Sequence, residues 1–207
     1  MTIPAKPDKT TARDPEGTRG KILDAAMDVF ANKGYHDASV DEIVEASGTS
    51  KGSVYFHFPN KQKLFLALLD KFADLLERRI LEAIAHEETP VRRASAALEA
   101  FMSTFGKYRP FAKILLIQAV GLGSAFEEKR LQVYDRFAAL VKTYLDQAVR
   151  EGDIAPIDTN IAAYAWMGAI NEVVIRWVYT GQPDPNRILS ALRPMLLRSV
   201  GFSEESL

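Results

Sequence analysis

Cysteine is absent from this chain of 207 residues, which removes disulfides, thiolate nucleophiles and zinc–cysteine sites together and suits a reducing compartment. No run approaches the roughly 18 uncharged apolar residues of a membrane span. The opening MTIPAKPDKTTARDPEG lacks the apolar centre of a signal peptide, so a cytoplasmic protein with no membrane partner is expected. Histidine is scarce: His36, His57 and His86 form no Glu-x-x-His pair on bundle-length helices, and a di-metal carboxylate site is unsupported. There is no G-x-S-x-G elbow and no glycine-rich phosphate loop either. Neither catalytic residues nor metal ligands nor a cofactor are expected. Excess positive charge is also missing. At a net charge of −1, an architectural protein that coats DNA without regard to sequence is disfavoured, because neutralising phosphates needs a more basic surface.

What is present is helix punctuation, dense enough to leave almost no room for strands. Residues 1–16 carry no apolar period and read as a flexible tail. Ile22, Leu23, Ala26, Val29 and Phe30 form a helical stripe stopped by Gly34. Ser39-x-x-Glu42 is a capping-box pattern for a short helix ending at Gly48, and Ser50 caps a third that Pro59 halts. Asn60 caps a long helix reaching to about residue 85, its apolar positions running from Leu64 to Ile80. Thr89-Pro90, Ser124-x-x-Glu127 and Asp184-Pro185 mark further starts; Gly152, Gly181 and Gly201 mark stops. The expected fold is all-α with about nine helices: a three-helix head over 17–62 and a larger body over 63–207, joined by the long helix.

The head contains helix, glycine turn, helix, a unit that can present its second helix to the major groove. Val40, Ile43, Val44, Val54 and Phe58 close a core against the first helix, leaving Lys51, Gly52, Ser53, Tyr55 and Phe56 outward. Lys51 can reach a guanine edge or a phosphate, Gly52 permits close backbone approach, and the rings offer edges to thymine methyls and sugars. The window 49–63 holds Lys51, Lys61 and Lys63 and no carboxylate. Asp24, Asp28, Asp37, Asp41, Glu42 and Glu45 offset these lysines and would have to face away from a duplex. On pattern alone, a protein-binding head accounts for the same residues equally well.

The run 19–69, above all GTSKGSVYFHFPNKQKLFLALL, resembles the N-terminal signature of the TetR family of bacterial transcriptional regulators. It matches that family's SKGTLYxHFxxKxxL-type pattern without a gap. The resemblance implies that Ser50, Ser53, Tyr55, His57 and Lys61 fall on phosphate-contacting positions, and Lys51, Gly52, Tyr55 and Phe56 on positions able to read the bases of a double-stranded operator. Thr49 departs from the pattern, since the family usually has an aliphatic residue there. The resemblance further implies a homodimer, usually built through the last two helices, and an internal pocket for a small-molecule inducer. A repressor released by an apolar or amphipathic inducer is the expected function.

The body carries fewer signals. The helix over 158–180 is apolar around its whole circumference, so it should be buried on both sides. Ala169, with Ile188, Leu189, Leu192 and Leu196 of the last helix, are the expected dimer contacts. Phe101, Phe105, Tyr108, Phe111, Tyr134, Phe137 and Trp166 are candidate pocket walls, although any one of them more often serves as plain core. Glu172 and Arg176 are spaced to pair along one helix face, which is the favoured reading; the alternative places Asn171 and Glu172 in the pocket. The segments 114–128 and NEVVIRWVYTG are loosely similar to acyl-CoA-responsive members of the family, yet only Arg92, Arg93, Lys107 and Arg109 are available to nucleotide phosphates.

Overall fold

The computed structural model describes residues 15–118 and 121–202, with side chains described over 16–116 and 121–202. The expected tail lies outside the described residues except for Pro15 and Glu16, which open the first helix. The helices are α1 (Pro15–Asp37), α2 (Val40–Ser47), α3 (Lys51–His57), α4 (Lys61–Ile84), α5 (Pro90–Lys107), α6 (Arg109–Lys113), α7 (Ser124–Glu151), α8 (Thr159–Thr180) and α9 (Pro185–Ser199), with a π-helical turn at Ile114–Gln118 after α6. Among the described residues there is no strand.

Local chemistry sets most boundaries. Gly34 leaves helical geometry at φ 83°, ending the regular part of α1 where the stop was expected. The Ser39 hydroxyl accepts from the Glu42 N–H at 3.2 Å, and the Ser39 N–H donates to the Glu42 carboxylate at 3.0 Å, completing the box. Gly48 closes α2 in the left-handed region at φ 61°. Ser50, Asn60, Thr89 and Asp184 each accept from first-turn N–H groups of the helix they precede. At Ser124 the expectation fails. Gly123 holds the cap position at φ 109° with no side-chain bond, and Glu127 turns instead to Arg130 at 2.9 Å and to the Gly121 N–H at 3.4 Å.

A single buried cluster runs from the head into the body. Ile22, Phe30, Ile43, Val54 and Phe58 join Leu64, Phe65, Leu68 and Phe72 of α4, and these join Phe105, Phe111, Phe126 and Trp177. The joint is aromatic: Phe65 meets Phe30 edge-on at 5.1 Å and Tyr35 at 5.0 Å, while Tyr35 meets Phe126 of α7 at 5.4 Å. Phe65 is wholly buried, worth about 2–3 kcal/mol of transfer free energy. α4 thus belongs to both parts of the molecule. Its solvent side is tied to α7 by Asp70–Lys129 at 2.9 Å, Asp74–Arg136 at 2.7 Å and a Glu77–Arg136 pair.

Candidate nucleic-acid interface and ligand cavity

On α3 the Val54 side chain is buried and Phe58 follows it inward, which turns the rest of the helix to solvent. Phe56 is 80% exposed and Tyr55 44%. A phenyl ring standing in water has no reason within the fold. Lys51, Gly52, Ser50 and half-exposed Ser53 and His57 surround it on the same end of the molecule. The hydroxyl of Ser50 already accepts from the Ser53 N–H at 3.1 Å, so it is left with its proton to donate. His57 lies edge-on to Phe56 at 5.2 Å. Thr49 is accommodated because its hydroxyl meets that of Ser47 at 2.8 Å, so the turn satisfies a polar group where an aliphatic one was expected.

Two charged side chains of the head are engaged within the fold. Lys61 donates to the carbonyls of Tyr35, His36 and Ala38 at 2.9, 3.1 and 3.0 Å and lies 4.8 Å from the Tyr35 ring centre. All three ammonium protons are used, because the end of α1 leaves carbonyls with no helical partner. In the free protein this lysine fastens the end of α1 to α4. Asp41, expected to turn away from a duplex, instead pairs with Lys51 at 2.6 Å and holds the lysine pKa above its usual value. Glu42 pairs with Lys33 inside the head, whereas Asp24 pairs with Lys71 of α4, beyond it. The Lys33 ammonium and the Ser39 N–H lower the Glu42 pKa to about 2.

At the other end of α4 lies a cavity of about 140 Å³ among α4, α5, α7, α8 and α9. Of the candidate walls, Phe101, Phe137 and Trp166 line it. Phe105, Tyr108, Phe111, Tyr134, Asn171 and Glu172 do not. Phe105 stacks on the back of Phe101 at 4.4 Å and meets Phe72 edge-on, while Phe111 is wedged against Phe65 and Phe72. Tyr108 packs edge-on against Phe72. Tyr134 lies parallel to Tyr164 at 6.3 Å across α7 and α8. Glu172 pairs with Arg176 at 2.7 Å on an exposed face. The walls not anticipated include Ile80, Ile84, Leu140, Tyr144, Arg93 and Arg193. Their signal was present in the spacing: Phe137, Leu140, Val141, Tyr144 and Ala148 keep one face of α7, and Arg193 interrupts the apolar stripe of α9.

The dimer contacts expected on α9 are also turned the other way. Ile188, Leu192 and Leu196 are 2%, 4% and 6% exposed within a single chain, because they pack on α5 and α8. Leu196 also lines the cavity. Leu189 and Ala169 are half-buried against the same core. The apolar groups facing outward are instead Ile161, Tyr164 and Tyr179 of α8 and Met195 of α9, with exposed Ala165, Gly168 and Ala191 between them.

Comparison with known proteins agrees with this layout. Residues 22–68 match the family described as bacterial regulatory proteins, tetR family, and residues 87–200 match the tetracyclin repressor-like C-terminal domain. The chain is 30% identical over 173 residues to the HTH-type transcriptional regulator SrpR of Pseudomonas putida, covering 84% of this chain and 79% of that one. It is 24% identical over 164 residues to the fatty acid metabolism regulator protein of Bacillus subtilis, covering 78% and 84%. Among solved structures, FadR from Bacillus subtilis in complex with stearoyl-CoA superposes with a TM-score of 0.76 at 22% identity, over 89% of this chain and 99% of that one. With head and body both matched, the chain belongs to the TetR family of bacterial transcriptional regulators and is a DNA-binding regulator, not an enzyme.

Proposed function

We propose that the protein is a cytoplasmic, homodimeric repressor that grips a palindromic operator with the α3 helix of each subunit and lets go when a small apolar or amphipathic inducer enters the cavity. The observation that carries this reading is the placement of α4. Its first residue, Lys61, ties down the head, and its last turns, Ile80 and Ile84, form cavity wall. Over 24 residues such a rod spans about 36 Å. An inducer that prefers one position of the far end therefore biases the spacing of the two α3 helices, and a coupling of about 1–3 kcal/mol would change operator affinity roughly 5–150-fold. Differential affinity is essential, since equal binding to both positions shifts nothing.

The outward apolar row of α8 and α9 supports a two-fold interface, because a contiguous apolar patch is normally covered. Phe56, Tyr55, Gly52 and Lys51 support base reading, and Ser50, Ser53 and His57 support phosphate contacts. A relative named as a fatty acid metabolism regulator and a neighbour holding stearoyl-CoA favour an amphipathic ligand class. The test is footprinting on the DNA flanking the coding gene, followed by titration of the protected site with and without carboxylates, acyl-CoAs and aromatic compounds. Protection of one two-fold symmetric site, weakened by a compound that binds the body, is the expected result. Uniform protection of all fragments would overturn it.

A further inference from the structure

The cavity's size and its charged residues define its ligand more narrowly than the family does. An apolar cavity of about 150 Å³ takes benzene, and this one is about 140 Å³. A long acyl chain exceeds that volume and would have to extend beyond it. Its walls are aliphatic and aromatic, with the Phe101, Phe137 and Trp166 rings among them, and they include no carboxylate. The charged side chains in the lining are both guanidinium groups, Arg93 from α5 and Arg193 from α9. Arg93 uses its Nε–H on the Glu87 carbonyl at 2.9 Å. Half-buried Arg193 has no hydrogen-bond or ion-pair partner among the described residues. It sits between Leu192 and Pro194 on a helix that buries Ile188, Leu192, Leu196 and Leu197. Two cations beside an apolar cavity, with no counter-charge among the described residues of its lining, suit a ligand that supplies one. The indole N–H of Trp166 is already given to the Ser199 hydroxyl at 3.1 Å, so that residue offers a ring and no polar group.

We infer that the cavity takes a compact amphipathic anion, an aromatic or short aliphatic carboxylate whose apolar part fills the space between Phe101, Phe137 and Trp166 and whose carboxylate is held by Arg193 and Arg93. The inference rests on the ligand-responsive reading above and assigns its ligand a size and a charge. Phenylacetate and hexanoate, with their neutral counterparts 2-phenylethanol and 1-hexanol, are the probes, and quenching of tryptophan fluorescence together with calorimetry on the full-length dimer is the readout. The anions should bind about tenfold or more tightly than the alcohols, as a charge-assisted pair does over a neutral one. Arg193→Met keeps the apolar stem and should erase that advantage while leaving alcohol binding within about twofold; Arg193→Lys should restore part of it. If Arg193→Met melts early, Arg93→Met makes the same comparison. Equal binding of acid and alcohol to the unaltered protein would overturn the assignment of charge, and tight binding of stearoyl-CoA with none of phenylacetate or hexanoate would overturn the assignment of size. Operator titration separates the two readings: carboxylates that bind through Arg193 yet leave operator affinity unchanged keep this site and sink the inducer role, whereas release by the alcohols alone does the reverse.

Discussion

A Cβ added at Gly52 would meet nothing within 4 Å, so nothing in the folded chain asks for glycine there. A helical glycine costs about 0.5–1 kcal/mol relative to alanine, a cost that makes sense when an outside surface comes close. Gly52→Ala should therefore raise the melting temperature slightly while weakening operator binding, and paired melting and titration experiments check it. A lower melting temperature would show that the glycine serves the fold after all. Lys61 illustrates the converse. Sequence pattern makes it a phosphate contact, but its ammonium holds three carbonyls at the end of α1. Lys61→Ala should lower unfolding free energy in urea by about 1–3 kcal/mol, the cost of leaving charge-assisted acceptors unmet. An unchanged urea midpoint, with only the salt slope of DNA binding reduced by about one, would return the residue to a purely phosphate role.

Caps decide where the short head helices begin and end, and the α2 cap also carries charge. Glu42 closes the Ser39 box and pairs with Lys33 of α1, so one carboxylate ties two helices. Its folded pKa is lowered from 4.5 to about 2. The stability it adds is thus complete above the unfolded value and is lost as pH falls from about 5 towards 2. Asp146 and Glu127 are lowered in the same direction, chiefly by Lys142 and Arg130. Melting temperatures should fall across that acid range, and Glu42→Gln should flatten part of the fall while lowering stability at pH 7. Identical pH profiles for the two proteins would remove Glu42 from the account. Caps were legible because each is a local bond between residues a few positions apart. Ser124 misled for the same reason: its spacing to Glu127 is right for a box, but Gly123, with its positive φ, took the cap position.

At the scale of the whole molecule, the direction each helix face points decides what a substitution does. Leu192, expected at a dimer interface, is 4% exposed in one chain. Leu192→Glu should therefore unfold the body, costing about 3 kcal/mol or more, instead of separating intact subunits. Met195 is 54% exposed on the outward side of the same helix, and Met195→Glu should give a folded monomer with the helical circular dichroism of the parent and poor operator binding. Sedimentation velocity and melting of both variants test this. A dimeric Met195→Glu protein would place the interface elsewhere.

Sequence alone determined the all-helical class, most of the caps and stops, the outward placement of Lys51, Gly52, Tyr55 and Phe56 on the head and, through resemblance, the family. These rest on near neighbours in the chain: a cap acts over three residues and an amphipathic stripe over four. Which aromatic residues wall the cavity, and which apolar residues of α8 and α9 are left facing outward, were decided only in three dimensions. An all-round apolar helix has no polar face to reveal its orientation, and the seven candidate aromatic walls are chemically interchangeable until packing selects among them. Phe111 became core because Phe65 and Phe72 close on it, while Phe101 was left with one face on open space. Arg193 and Lys61 show the same division. The charge of each can be read in the chain, but whether an ammonium or guanidinium meets a carbonyl, a carboxylate or an apolar cavity depends on groups from distant segments, brought together only by the packing of helices.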